Sequence, residues 1–185
     1  MKVDIVKPNV IHFNLRYEPK DEIFRKCNFL RAALDLDNWS LEVNSDVGYY
    51  HYKWAPEQNR TFLDYMIETS RDSDYLLNKM SNRSEFSLDD TIKLIYDYYG
   101  DELDQKQKRW LENANHSYGV TGEEFLNAMR ASGLFKWHDL WELPQYDYPN
   151  CAKTFAEIVR TDLRKVMIEY RDSMMKEKEE DLELE

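Results

Sequence analysis

Glycine and proline are scarce in this 185-residue chain, at five each, and no Ser/Gly-rich tract gathers them. So few breaker and hinge residues leave no flexible linker to expect and favour a compact, helix-rich body. Cysteine is scarcer still. Cys27 and Cys151 cannot build a disulfide framework, and Cys27 falls on an apolar stripe with Ile23, Leu30 and Leu34, so the pair reads as two buried, reduced thiols. After Met1-Lys2-Val3-Asp4 no apolar run is long enough for a signal-peptide core or a membrane span, so a cytoplasmic protein without membrane contact is expected. Also missing are a Gly-rich phosphate loop, Gly-x-Ser-x-Gly, His-Glu-x-x-His and Cys-x-x-Cys, which removes the commonest nucleotide, hydrolase and zinc chemistries. Nothing calls for a cofactor or a metal.

What is present is apolar residues and charge. Hydrophobic residues make up 42% and aromatics 14%, too much for a disordered chain, and this length suits one domain. The formal net charge is −11 and is unevenly placed: from Asp35 to Asn150 there are 22 acids against 11 bases, while residues 1–34 carry 7 bases and 4 acids. A field of that sign repels phosphate backbones and attracts basic surfaces.

Alternation from Val10 to Tyr17 predicts a half-buried strand, and Pro19 with Asp21 opens a predicted helix running to Leu34. Residues 39–43 and 47–54 read as a hairpin turning at Asn44-Ser45-Asp46. Residues 1–55 are thus expected to form a small β-α-β-β layer. A helical body over residues 56–175 follows in the same domain, and an acidic tail over 176–185. Helix signals are a segment from Thr61 to Met80 broken near Ser70–Ser73, a Ser87-x-x-Asp90 start with Gly100 as stop, a segment from Glu102 to Asn115, and a Thr121/Glu124 capping box before Gly133. Trp137 and Trp141, like Tyr50, Tyr52 and Trp54, are expected in the core. Asn150 begins a long helix in which Phe155, Val159, Leu163, Val166, Tyr170 and Met174 recur every three or four residues. The same stripe suits a homodimer through that helix. The fold class is therefore α+β, mostly helical, with a small amino-terminal layer and a long carboxy-terminal helix.

Three groups of residues bear on chemistry. His116, His138, Asp139 and Asp162 follow the order of ligands in the metal-dependent HD-domain phosphohydrolases, a resemblance carried by the His-Asp dipeptide, which would imply metal-activated water. Asp35-Leu36-Asp37-Asn38-Trp39 begins like a calcium loop but places Ser40 where glycine is needed and Asp46 where a bidentate glutamate is needed; an acidic helix end running into a strand explains it better. His12 and His51 on polar strand faces, with Arg16, Lys53 and Tyr49, would form an anion site if their strands were neighbours.

The strongest pattern is the acid row itself. Asp72, Asp74, Glu85, Asp89, Asp90, Asp97, Asp101, Glu102 and Asp104 crowd consecutive helices, with Tyr98 and Tyr99 among them. Closely spaced carboxylates can imitate the phosphate row of DNA and occupy a basic groove, and tyrosines add contact area. The reading is a non-catalytic interaction module with a basic protein partner, such as a nucleic-acid-binding enzyme. Direct nucleic-acid binding is not expected, since no basic stripe appears outside residues 1–34. In composition the chain looks like small acidic phage or mobile-element products that block host defence nucleases, such as anti-CRISPR proteins. The alternatives are an HD-like phosphohydrolase and a structural homo-oligomer.

Overall fold

The computed structural model describes residues 7–117, 121–137 and 140–183, with the side chains of 115–117 and 178–183 left aside. The fold is α+β and mostly helical, with an amino-terminal antiparallel sheet and a long carboxy-terminal helix. The chain forms two compact units, the first from residues up to 82 and from 150 onward, the second from residues 83–149.

The sheet of the first unit comprises β1 (Val10–Arg16), β2 (Phe29–Asp35), β3 (Ser40–Ser45) and β4 (Gly48–Lys53), in that order, each antiparallel to the next. The helix expected from Asp21 to Leu34 is absent: a single 3-10 turn, Glu22–Arg25, precedes strand β2. Leu30, Leu34 and Cys27 fit a helical stripe, but Leu30, Ala32 and Leu34 also alternate with Phe29, Arg31 and Ala33. Pairing on both sides, with β1 and with β3, decides for the strand. The β3–β4 hairpin turns one residue later than the sequence indicated, at Asp46-Val47, with Ser45 paired to Gly48. The Asp35 segment is a strand-to-strand turn, not a helix end. Asp35 Oδ1 accepts from the backbone N of Asp37 and of Asn38, and Trp39 follows at φ 53°.

On the buried side of the sheet, Trp39, Trp54, Phe62 and Tyr65 form an aromatic cluster with centroids 5.2–6.2 Å apart. Its polar edges are satisfied, because Trp54 Nε1 donates to the Tyr75 hydroxyl at 3.0 Å and Tyr75 meets the Tyr65 hydroxyl at 2.8 Å. Tyr50 stacks on Phe155 at 3.9 Å. Helices α1 (Phe62–Thr69) and α2 (Ser73–Met80) carry Phe62, Tyr65, Leu76 and Leu77 inward, with the expected break between them.

The long helix consists of α6 (Asn150–Ile158), a π-helical turn (Val159–Leu163) and α7 (Arg164–Glu183). Phe155, Val159, Leu163 and Met167 are all fully buried. Steps of four residues overshoot a 3.6-residue turn by about 40° each, so a regular helix would carry the stripe off the core. The π turn absorbs that drift. As a result Met167, not Val166, continues the stripe, and Met174 is exposed.

The second unit packs α3 (Leu88–Tyr99), α4 (Gln105–Ser117) and α5 (Gly122–Ser132) around Ile95, Leu111, Phe125, Met129, Phe135 and Leu140. A two-stranded ribbon, β5 (Glu85–Ser87) with β6 (Gln145–Asp147), closes it. Buried Thr91 ties α3 to β6: its hydroxyl donates to Ser87 O at 2.7 Å and accepts from Gln145 N at 2.8 Å. The α5 capping box is complete, with both Thr121–Glu124 hydrogen bonds formed. Gly122 is needed for space, since a Cβ there would lie 2.8 Å from the Tyr146 hydroxyl and 2.9 Å from Pro144 Cβ.

Candidate functional site

Helix α3 sets out the acidic surface. Its inner face buries Thr91 and Ile95, so Asp89, Asp90, Lys93 and Asp97 turn to solvent, and Glu85, Asp101, Glu102 and Asp104 are exposed on either side. Two of these carboxylates have local work. Asp90 Oδ2 accepts from the Ser87 hydroxyl at 2.6 Å in the α3 cap, and Asp104 Oδ1 accepts from Lys106 N at 2.7 Å and Gln107 N at 2.9 Å to cap α4. Acids at a helix start also complement its dipole. Asp89, Asp97, Asp101 and Glu102 are exposed and form no ion pair among the described residues.

The row is not uniformly negative. Lys93 and Arg83 share a shallow depression of about 270 Å³ with Asp90, Asp97 and Tyr146. Tyr98 is 74% exposed, whereas Tyr99 is stacked on Trp137 at 4.2 Å, so it packs in the unit rather than offering a free ring. Asp72 and Asp74 belong to the first unit, where Asp72 Oδ1 accepts from Tyr75 N to cap α2 and Asp74 lies in its first turn.

Two further aromatics of the second unit are exposed. Trp141, expected in the core, is 66% exposed, and Tyr146 is 45% exposed. The described backbone around Trp141 forms a 3-10 turn, Leu140–Glu142, while Leu134 and Trp137 pack against the core. No local pattern distinguishes Trp141 from a buried tryptophan.

The first unit holds a second concavity, about 650 Å³, lined among others by Tyr17, Asp21, Glu22, Lys26, Glu157 and Asp162. The π turn delivers Asp162 to it, and the Tyr17 hydroxyl donates to Asp162 Oδ2 at 2.8 Å. Burial first, and then that bond, push the Tyr17 hydroxyl well above the usual tyrosine range, so it stays a neutral donor. Glu157 is held by Arg160 through two bonds, at 3.0 and 2.6 Å, and its carboxyl lies below the ordinary range for that reason. Tyr17 with Asp162 and Glu157 with Arg160 are thus mutually satisfied pairs at this concavity.

Asp162, the last of the HD-like positions, is thus engaged by Tyr17. His138 and Asp139 lie outside the described residues, and of His116 only the backbone, in α4, is described. Among the described residues no group of three or more His, Cys, Asp or Glu could hold a metal ion. His12 and His51 sit on β1 and β4, opposite edges of the sheet, about 14 Å apart at a strand spacing near 4.8 Å. They do not face each other; His51 lies opposite Glu42. The cysteines divide: Cys27 is buried, its thiol donating to Asp46 Oδ1 at 3.0 Å and Phe29 O at 3.1 Å, whereas Cys151 is exposed, contrary to the sequence reading. No described helix is long and apolar enough to cross a membrane.

The chain is a mixed sheet-and-helix protein with an acid-rich helical surface. A protein-family model described as a phage family matches residues 21–169, and the chain belongs to that family of phage proteins. No curated protein and no solved structure matches it.

Proposed function

We propose that this phage protein is a non-catalytic interaction module that offers the acidic surface of residues 83–149 to a basic partner protein, in the manner of an inhibitor occupying a nucleic-acid groove. One observation carries the reading: Asp89, Asp97, Asp101 and Glu102 are exposed and free of ion pairs among the described residues, and Tyr98 in the same segment is 74% exposed. Unpaired carboxylates raise the local field and speed encounter with a positive surface, while an exposed tyrosine supplies contact area at low entropic cost. Lys93 and Arg83 within the row require a groove that is basic but not uniformly so. A phage origin makes a host defence nuclease, as in anti-CRISPR inhibition, the fitting partner class.

The test is capture from a native host lysate with tagged protein, at low and then moderate salt, followed by a nucleic-acid-binding assay on the captured protein. The expected result is a basic nucleic-acid enzyme, released as salt rises, blocked from its nucleic acid, and lost on combining D89N, D97N, D101N and E102Q. Capture that the quadruple variant leaves unchanged, or capture of nothing but the protein itself, would sink the proposal.

A further inference from the structure

The open face of the sheet carries chemistry of the opposite sign. We propose that it binds single-stranded nucleic acid, with Arg16 and Arg31 taking backbone phosphates and Tyr49 stacking a base. The inference is independent of the acidic surface.

The register makes neighbours of residues far apart in sequence. Asn14 pairs with Arg31, Arg31 with Asn44 and Asn44 with Tyr49, so these four form one row across all four strands, and all four are exposed. The row is about 14 Å long at the usual strand spacing. Arg16 pairs with Phe29 and is therefore the diagonal neighbour of Arg31, roughly 7–8 Å away between Cα atoms. Both arginines and Phe29 line a depression of about 320 Å³ at the β1–β2 end, where the Arg31 guanidinium lies 5.7 Å from the centre of the Phe29 ring.

Neither arginine forms an ion pair among the described residues, in a chain with 36 Asp and Glu. Two like charges on diagonal positions repel unless an anion lies between them. The guanidinium fork suits phosphate oxygens in a bidentate manner, and a cation over an aromatic ring is held in place for it. The carboxylates of this face lie in other rows. Asp35 is engaged by Asn38, and Glu42, a diagonal neighbour of Arg31 on β3, lies beside Tyr49. Asp46, at the near end, receives Cys27 and Asn28. Tyr49 keeps 61% of its surface open, and an exposed ring on an open sheet face offers an unpaired base a stacking plane while Asn14 and Asn44 supply amide donors and acceptors. A duplex, whose bases are already stacked, could not use that plane.

The test is fluorescence anisotropy of the full-length protein with labelled single-stranded oligonucleotides of DNA and of RNA, against a duplex of the same sequence and against inorganic phosphate as competitor. Single strands should bind more tightly than the duplex. The R16Q/R31Q variant, with unchanged circular dichroism, should weaken binding and flatten the slope of log affinity against log salt by about 1.4, from two phosphate contacts at about 0.7 each. Y49A should weaken it about 5- to 150-fold, one stacked base. Binding indifferent to both variants would overturn the proposal, as would no binding at about 50 mM salt. Inorganic phosphate that saturates the site as well as the oligonucleotide does would show a small-anion site and overturn it too.

Discussion

Cys27 shows how one side chain can be read in two ways. Its burial was expected from a helical stripe with Ile23, Leu30 and Leu34 that does not form, and the reason for it lies elsewhere: the thiol closes a bond to Asp46, nineteen positions away, which only the β3–β4 turn brings near. Burial first, then that bond, push the Cys27 thiol from 9.0 up to about 12. Partial burial alone would raise Asp46, but donation from the Cys27 thiol and from Asn28 outweighs it and holds the carboxyl below its ordinary range. Two outcomes follow. In the native protein a thiol reagent near neutral pH should label Cys151 alone, and denaturant should expose the second thiol; two fast-reacting thiols in the folded state would contradict the placement. An acid raised on folding keeps its proton where the unfolded chain has lost it, so its stabilising contribution is whole below about pH 9 and drains as pH rises toward 12. Urea unfolding at about pH 8 and about pH 11 should therefore show a steeper loss for wild type than for C27S, the slope differing by at most one proton.

At the scale of elements, capped helices were legible and strand choice was not. Ser87 and Asp90, Thr121 and Glu124, and the break after Thr69 all stand where local chemistry placed them, because a cap is made by residues three apart. T121A should cost about 1 kcal/mol, measured by chemical denaturation, since it removes one arm of the capping box. Residues 29–35 went the other way, because their stripe satisfies both periods and only pairing with β1 and β3 resolves it. The long helix lies between these cases. Its existence and stripe were legible, but its π turn was not, since nothing in Val159–Leu163 announces it other than the repeated step of four. Tyr17 donates to Asp162, which lies within that turn, so Y17F should lower stability by about 1 kcal/mol. A Y17F protein as stable as wild type would show that Asp162 finds an equivalent donor.

At the scale of the molecule, the sequence shows a single run of helices after residue 56, and the structure shows a chain that leaves one unit and returns to it. The acidic row was legible as composition, but its division was not: Asp72 and Asp74 fall before the excursion and the other acids within it. The ends of the excursion meet in the β5–β6 ribbon, where Glu85 pairs with Asp147 and Ser84 N donates to Asp147 O at 3.0 Å. A segment whose ends are already hydrogen-bonded loses little chain entropy by being cut free, and residues 83–149 bury a core of their own around Ile95, Leu111, Phe125 and Met129. Expressed alone, that segment should show helical circular dichroism and a cooperative melt, at the modest stability expected of so small a core. It should also retain the partner binding proposed for Asp89, Asp97, Asp101 and Glu102 while lacking any proposed for Arg16 and Arg31, which lie in the other unit. A segment that does not fold would show that its core needs the first unit, and one that folds without binding the partner would place the acidic function elsewhere.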